Sequence, residues 1–232
     1  MHAVVVPSLP MLGVLKGYGV SAPLAVIATG IEMRGMQDCR RQRFFAKNSI
    51  EPGRPTLVHV GRVAHEKNIG FLLAVLAEVR RTIPDVLLVI AGDGPARESL
   101  LQTTTRLGLQ ENVYFTGYQQ RGPDLWDCFC AGDAFVFASS TETQGLVLLE
   151  AMALGVPVVS TAILGTKDIL DAGRGALVAD ATTEDFTGKV IRILTDAPLR
   201  ARLGAEARAY AAEWSAENQA VKLLEFYTAA VQ

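Results

Sequence analysis

Two glutamates with seven residues between them, Glu142 and Glu150, stand in the segment 139–155, which reads SSTETQGLVLLEAMALG. The apolar run 134–138 before them has strand character, so Glu142 falls in the polar loop that follows a buried strand. In an open α/β sheet such a loop lies at the carboxyl edge, where ligands bind. Glu150 is flanked by Leu146, Val147, Leu148 and Leu149 on one side and Ala151, Met152, Ala153 and Leu154 on the other. A helix apolar all round is buried, and a buried carboxylate without a partner is costly. Glu150 therefore requires a donor in the protein or the hydroxyls of a ligand, unless it lies on a narrow solvated stripe or caps a backbone group. Gln144 and Gly145 open this helix, with free N–H groups suited to an anion, and Gly145 lets a phosphate come close to the backbone. Upstream, residues 61–68 (GRVAHEKN) put Arg62 and Lys67 on another strand-to-helix loop. Two cations there suit a diphosphate, Arg as a fork and Lys as a point charge, although charged pairs are also common on surface loops. His65 reads as a solvated loop residue. The turn Gly92, Asp93, Gly94, Pro95 lacks the third glycine of a dinucleotide fingerprint and reads as a tight turn.

The elements that must position these residues follow from hydrophobic periodicity. Residues 56–60 are a short β-branched run ending at Gly61. Ile69, Leu72, Leu73, Leu76 and Val79 have helical spacing over 69–81. Residues 85–91 (DVLLVIA) form the continuous apolar run of a strand buried on both faces, and Pro95 suits the first turn of the helix that follows, which runs to about Leu107. Strands are expected at 113–115, 134–138, 157–160 and 176–178. Helices are expected near 125–131 and 146–154, as a turn at 167–170, as two helices over 184–210 and as a last helix over 216–231. Strands alternating with helices imply an α/β domain with a doubly wound parallel sheet. The first 55 residues differ. Residues 3–6 and 24–28 look like strands around a Gly-rich helix or loop, and residues 40–55 (RRQRFFAKNSIEPGRP), basic and then Pro/Gly-rich, read as a linker.

Composition narrows the class. The chain has 232 residues, half of them hydrophobic, and a net charge of −2. That supports a sizeable core and lacks the basic face that nucleic acid demands. No apolar run reaches the ~18 residues of a membrane span, and the start reads as a strand rather than a signal peptide. The three cysteines, Cys39, Cys128 and Cys130, are odd in number and fit neither a disulfide framework nor a zinc site. A reducing cytoplasm is the expected compartment.

Taken together these residues resemble the carboxyl-terminal domain of the family 4 (group 1) glycosyltransferases of the GT-B fold. The resemblance rests on the Glu142/Glu150 pair, the G-R-x4-K pattern of Gly61, Arg62 and Lys67, and the AGDGP turn at residues 91–95. It also rests on Phe115, Thr116, Gly117 and Tyr118 and on the run 150–159, and it covers residue 24 to the C-terminus. It implies that Arg62 and Lys67 hold the donor diphosphate and stabilise charge on the leaving nucleotide, an electrostatic role worth about 3–4 kcal/mol per donor at best. Glu150 would bind ribose hydroxyls and Glu142 would contact the donor sugar. Backbone at Gln144, Gly145, Leu146 and Val147 would meet phosphate and sugar, and Gly61, Gly92, Gly117 and Tyr118 would line the nucleotide, with backbone near Tyr118 reading the base. Such enzymes retain anomeric configuration and need no bound metal or other cofactor; consistently, the sequence has no D-x-D pair. The donor would be a UDP-hexose rather than GDP-mannose. The wording TETQGL, without an aromatic residue before the glycine, resembles bacterial glycolipid synthases. Arg40–Lys47 with Phe44 and Phe45 would suit an anionic membrane surface, a solvated linker being the simpler alternative.

The acceptor site of this fold belongs to an amino-terminal domain. Residues 1–39 would be its remnant, 40–55 a linker, 56–213 the nucleotide-sugar domain and 214–232 the helix crossing back. A chain so composed is expected to bind nucleotide weakly and to transfer sugar poorly, with an acceptor domain as its missing partner. A stand-alone nucleotide-binding subunit uses the same residues. A sugar-nucleotide epimerase and a nicotinamide-dependent oxidoreductase are the other candidates, the latter disfavoured by the absent third glycine.

Overall fold

The computed structural model describes residues 3–231. Met1 and His2 of the expected first strand and Gln232 lie outside them. The chain opens with β1 (Val4–Val6), α1 (Leu9–Gly17) and β2 (Leu24–Val26), and β1 and β2 pair in parallel. Ser8 caps α1 through its side chain, and Pro10 occupies its first turn, where a missing N–H costs nothing.

Six parallel strands form the main sheet: β3 (Thr56–Val60), β4 (Leu87–Ala91), β5 (Val113–Gly117), β6 (Ala134–Phe137), β7 (Val158–Ser160) and β8 (Ala176–Val178). Their order is β5-β4-β3-β6-β7-β8. The chain thus winds outward from β3 in one direction, returns, and winds out from β6 in the other. Between β3 and β6 the winding reverses, and that is where an open α/β sheet leaves a crevice at its carboxyl edge. Alternate residues feed two cores. Leu87, Val89 and Ala91 point to one layer and Leu88 and Ile90 to the other, and all five are at most 3% exposed. Full burial contributes about 1.5–3 kcal/mol for each large aliphatic residue, which explains the unbroken apolar run.

One layer holds α3 (Ile69–Thr82), α4 (Arg97–Arg106) and α8 (Thr183–Thr195). The other holds α5 (Pro123–Ala131), α6 (Leu146–Ala153), α7 (Gly165–Leu170) and α9 (Ala197–Ala212). Helix α10 (Ala216–Val231) follows. Helix α4 starts two residues beyond Pro95, which sits in the preceding turn. None of these helices is long and apolar enough to cross a membrane among the described residues.

Two expectations are corrected here. Residues 40–55 are not simply a linker. They contain α2 (Arg41–Lys47), which packs on α5 with Phe44 and Phe45 buried at 4% and 2% exposure, so those rings are not offered to a membrane. The basic residues serve the same contact. Arg41 pairs with Asp133, Lys47 with Asp124, and Arg43 with the buried Asp127, which also accepts from the Arg40 N–H. Second, Cys39 and Cys130 form a disulfide across 91 residues of sequence, with Cα atoms 6.2 Å apart. Spacing along the chain carries no signal for a pair that tertiary contact brings together. Cys128 remains free, and burial pushes its thiol up to about 12. Replacing Asp127 by alanine orphans the Arg40 N–H and releases Arg43; we expect a loss of about 1–3 kcal/mol, read as a lower denaturant midpoint. An unchanged midpoint would show that the α2–α5 contact is held by the phenylalanines alone.

Candidate functional site

The crevice at the winding reversal is a real cleft, and it has two lobes that share Val60, Gly61 and Arg62 at the end of β3. The larger, about 540 Å³, is lined by Lys67, Phe137, Glu142, Thr143, Gln144, Gly145, Leu146, Val147 and Glu150, with Pro7 and Thr29 above them. The smaller, about 320 Å³, is lined by Ala91, Gly92, Asp93, Tyr118, Gln119 and Leu125.

The backbone that shapes the cleft is laced by glycines. Gly61 N–H donates to Ala91 O, Gly92 N–H to Gly117 O and Val63 N–H to Asp93 O, each at 2.9–3.0 Å. Gly92 has φ +142°, and a Cβ there would lie 1.9 Å from Gly61 O. Gly145 has φ +84° and stands at the N-cap of α6 without a side-chain cap. The first-turn N–H groups of Leu146 and Val147 have no intrahelical acceptor, so an anion at this end would meet them.

The charged side chains arrive from separate loops. Lys67, from the loop after β3, bonds Glu142, from the loop after β6; both side chains are about one-fifth exposed. Arg62 is 66% exposed and reaches Glu66 only at 3.8 Å, which leaves it available to a ligand. Helix α6 is not buried on all faces. Leu146, Val147 and Glu150 share one side and look into the cleft, while Leu148, Leu149, Ala151, Met152 and Ala153 enter the core. Glu150 thus has the donor it required. Arg121, on the loop after β5, stands 2.7 Å from its Oε1. Burial raises the Glu150 pKa and Arg121 opposes the rise.

The structure brings Arg62, Lys67, Glu142, Gly61, Gln144, Gly145, Leu146, Val147 and Glu150 to one lobe, and Gly92 and Tyr118 to the other, where Gly61 and Arg62 also reach. Gly117, with φ +73°, closes β5 and accepts from Gly92 without lining either lobe. The Gln144 side chain is committed elsewhere: its amide bonds both the N–H and the carbonyl of Thr29, at 3.0 and 2.8 Å. Only its backbone is free for a ligand. The α6 end is further tied to the β1–α1 turn, where Ser8 Oγ donates to Thr143 O at 2.6 Å and Leu9 N–H to Asp168 at 2.6 Å.

Sequence reasoning missed Arg121 and His59. His59 lies on β3, fully buried, its ring near-parallel to those of Phe135 and Phe137, which neighbour each other at 6.0 Å. Its Nδ1 faces Val136 O at 3.2 Å, which fixes the proton on Nδ1, and its Nε2 has no partner among the described residues. Desolvation brings its pKa down to about 4, against the Val136 bond and helped by Lys67. One polar residue inside an apolar strand run was the available signal for His59.

Known proteins match this arrangement. The family described as glycosyl transferases group 1 matches residues 40–210. Alpha-monoglucosyldiacylglycerol synthase of Streptococcus pneumoniae is 32% identical over all of this chain and 53% of its own length. D-inositol 3-phosphate glycosyltransferase of Segniliparus rotundus is 31% identical over 95% of this chain and 50% of its own. Sulfoquinovosyl transferase SQD2 of Arabidopsis thaliana is 34% identical over 78% and 35%. The chain therefore spans about half, or less, of these relatives. Among solved structures, HepE of Anabaena with UDP and glucose superposes with a TM-score of 0.88 at 21% identity, over 98% of this chain and 63% of that one. WaaG, a glycosyltransferase involved in lipopolysaccharide biosynthesis, does so at 0.83 and 22%, over 96% and 61%. The fold is thus that of one half of a GT-B enzyme, and by the match over residues 40–210 the chain belongs to the glycosyl transferases group 1 family.

Proposed function

We propose that this chain is the donor-binding part of a retaining, metal-independent hexosyltransferase that takes a UDP-hexose. The observation that carries the reading is the charge layout of the cleft. Two cations, Arg62 and Lys67, flank the end of β3 beside an uncapped helix N-terminus, and two carboxylates line the same lobe, Glu142 bonded to Lys67 and Glu150 to Arg121. A diphosphate fits the cations and the N–H groups of Leu146 and Val147. Its negative charge is met there without a divalent ion, and the same groups stabilise the charge that builds on the departing nucleotide. Glu150 takes the ribose hydroxyls. Glu142 contacts the hexose, and Lys67 is shared between that carboxylate and the phosphates. The smaller lobe takes the base, read by backbone near Tyr118 and walled by the Gly61 and Gly92 loops.

UDP is favoured because solved structures of the same fold hold it. A lipid acceptor is favoured by the TETQGL wording and by the diacylglycerol product named for the pneumococcal relative. The acceptor-binding half is the partner this reading demands, and transfer belongs to the two together, at the cytoplasmic face of a membrane.

Calorimetric titration of the folded chain with UDP, GDP, UDP-glucose and GDP-mannose tests the donor. Saturable binding of the uridine ligands is expected, weakened about tenfold or more in Arg62→Ala and in Glu150→Ala, as for the loss of a charged hydrogen bond. Equal binding by wild type and both variants would remove the basis for this site. A preference for GDP would keep the site and change the donor.

A further inference from the structure

No motif singles out Arg121, yet it is the residue that meets Glu150. Its Nη2 lies 2.7 Å from Glu150 Oε1, joining an arginine side chain that is 57% exposed to a glutamate that is 14% exposed. Its guanidinium carbon stands 5.6 Å from the centre of the Trp126 ring, and Trp126 is anchored in the core by α5. Two separate contacts thus hold a long side chain that water would otherwise claim. The imbalance in burial sets the direction of dependence: Arg121 loses little on leaving, whereas Glu150 would be left desolvated without its counter-charge. The ion pair engages Oε1 and leaves the second carboxylate oxygen for a ligand.

We propose that Arg121 is a positioning residue of the donor site: braced on Trp126, it fixes the Glu150 carboxylate from one side so that ribose hydroxyls meet a preorganised acceptor on the other. The inference rests on the donor reading above. It names a specificity element outside the Glu142/Glu150 segment, on the loop that leads from β5 to α5. The other charged groups in the cleft around Glu150 are Arg62 and Lys67 from the loop after β3 and Glu142 from the loop after β6. Glu142 is already neutralised by Lys67, and Arg62 is turned toward Glu66, so Arg121 is the cation in direct contact with Glu150.

Two readouts test this on the folded chain. The first is UDP binding against pH for wild type, R121Q, R121K and E150Q. Burial already raises the Glu150 pKa and Arg121 opposes it, so R121Q should bind UDP about tenfold more weakly near neutrality. Its acid-side loss of binding should begin at a higher pH than in wild type. R121K should recover part of both, and R121Q added to E150Q should change neither. The second readout is the melting temperature against pH without nucleotide. In acid Glu150 is protonated in every variant, so R121Q and wild type should converge. As pH rises and the carboxylate must ionise, the gap should open, and it should stay closed in the E150Q background. Binding by R121Q equal to or tighter than wild type overturns the proposal, the tighter case marking Arg121 as a competitor of ribose. A melting gap independent of pH overturns it as well, reducing Arg121 to packing. A folded wild type that takes up no nucleotide, but shows the pH-dependent gap, overturns the donor reading and this assignment with it, leaving a purely structural ion pair.

Discussion

Gly92→Ala is expected to lose about 3 kcal/mol or more of stability and to abolish nucleotide binding. Two terms combine. The backbone at φ +142° is one that side chains rarely adopt, at about 1–3 kcal/mol. The new Cβ would sit 1.9 Å from Gly61 O, and overpacking against backbone costs about another 1–3 kcal/mol. Relief requires the loops after β3 and β4 to separate, which breaks the Gly61–Ala91 or Gly92–Gly117 bond and reshapes the cleft where its two lobes meet. Gly122→Ala separates the terms. Its φ is +148° and nothing lies within 4 Å of the added carbon, so it carries the conformational cost alone. Denaturant midpoints shifted equally in the two variants would refute the steric part of the argument.

His59 should dominate the response to acid. Its ordinary pKa is 6.5, and in the fold it drops to about 4, with desolvation the leading cause. The unfolded chain therefore binds a proton between those values that the folded one refuses. Stability from this group is present above pH 6.5 and is lost as pH falls toward about 4, by about 3 kcal/mol in all. His59→Phe keeps a ring packed beside Phe135 and Phe137 and removes the titration, so the variant should become the more stable of the two in acid while differing little at neutral pH. Parallel stability curves for wild type and variant across this range would mean that the ring is already solvated or already paired.

The pattern of apolar runs made the sheet legible. Residues 85–91 could only be a doubly buried strand, and the loops carrying Arg62, Lys67 and Glu142 follow strands whose carboxyl ends must share one edge. Glu150 was legible for a different reason, since a carboxylate in an apolar helix demands a partner. What it demanded was visible, but not who supplied it. Arg121 is an ordinary surface-type arginine until the β5–α5 loop brings it across the sheet. Residues 40–47 misled because charge and Pro/Gly content describe composition. The helix on which Phe44 and Phe45 pack, and the carboxylates Asp124, Asp127 and Asp133 that pair with Lys47, Arg43 and Arg41, lie about 80–90 residues further on. The Cys39–Cys130 bond was hidden by the same distance. Gln144 showed the limit in the opposite direction: its position was right, but its side chain serves the backbone of Thr29 rather than a ligand.

The chain passes between the β1–β2 unit and the main sheet at residues 27–31 and again leaves the sheet layer at 214–216. These two passages are stitched at one point, where Ile31 N–H donates to Trp214 O and Ala216 N–H to Ile31 O, both at 3.0 Å. Gly30 is pressed against the second passage so closely that a Cβ would fall 2.3 Å from Ala216 Cα. The crossing is one end of a brace whose other end is at the cleft, where Ser8, Leu9 and Thr29 of the same unit bond Thr143, Asp168 and Gln144. A side chain at position 30 would wedge the first end apart and load the second, so its damage would be felt at the rim of the cleft as well as at the crossing.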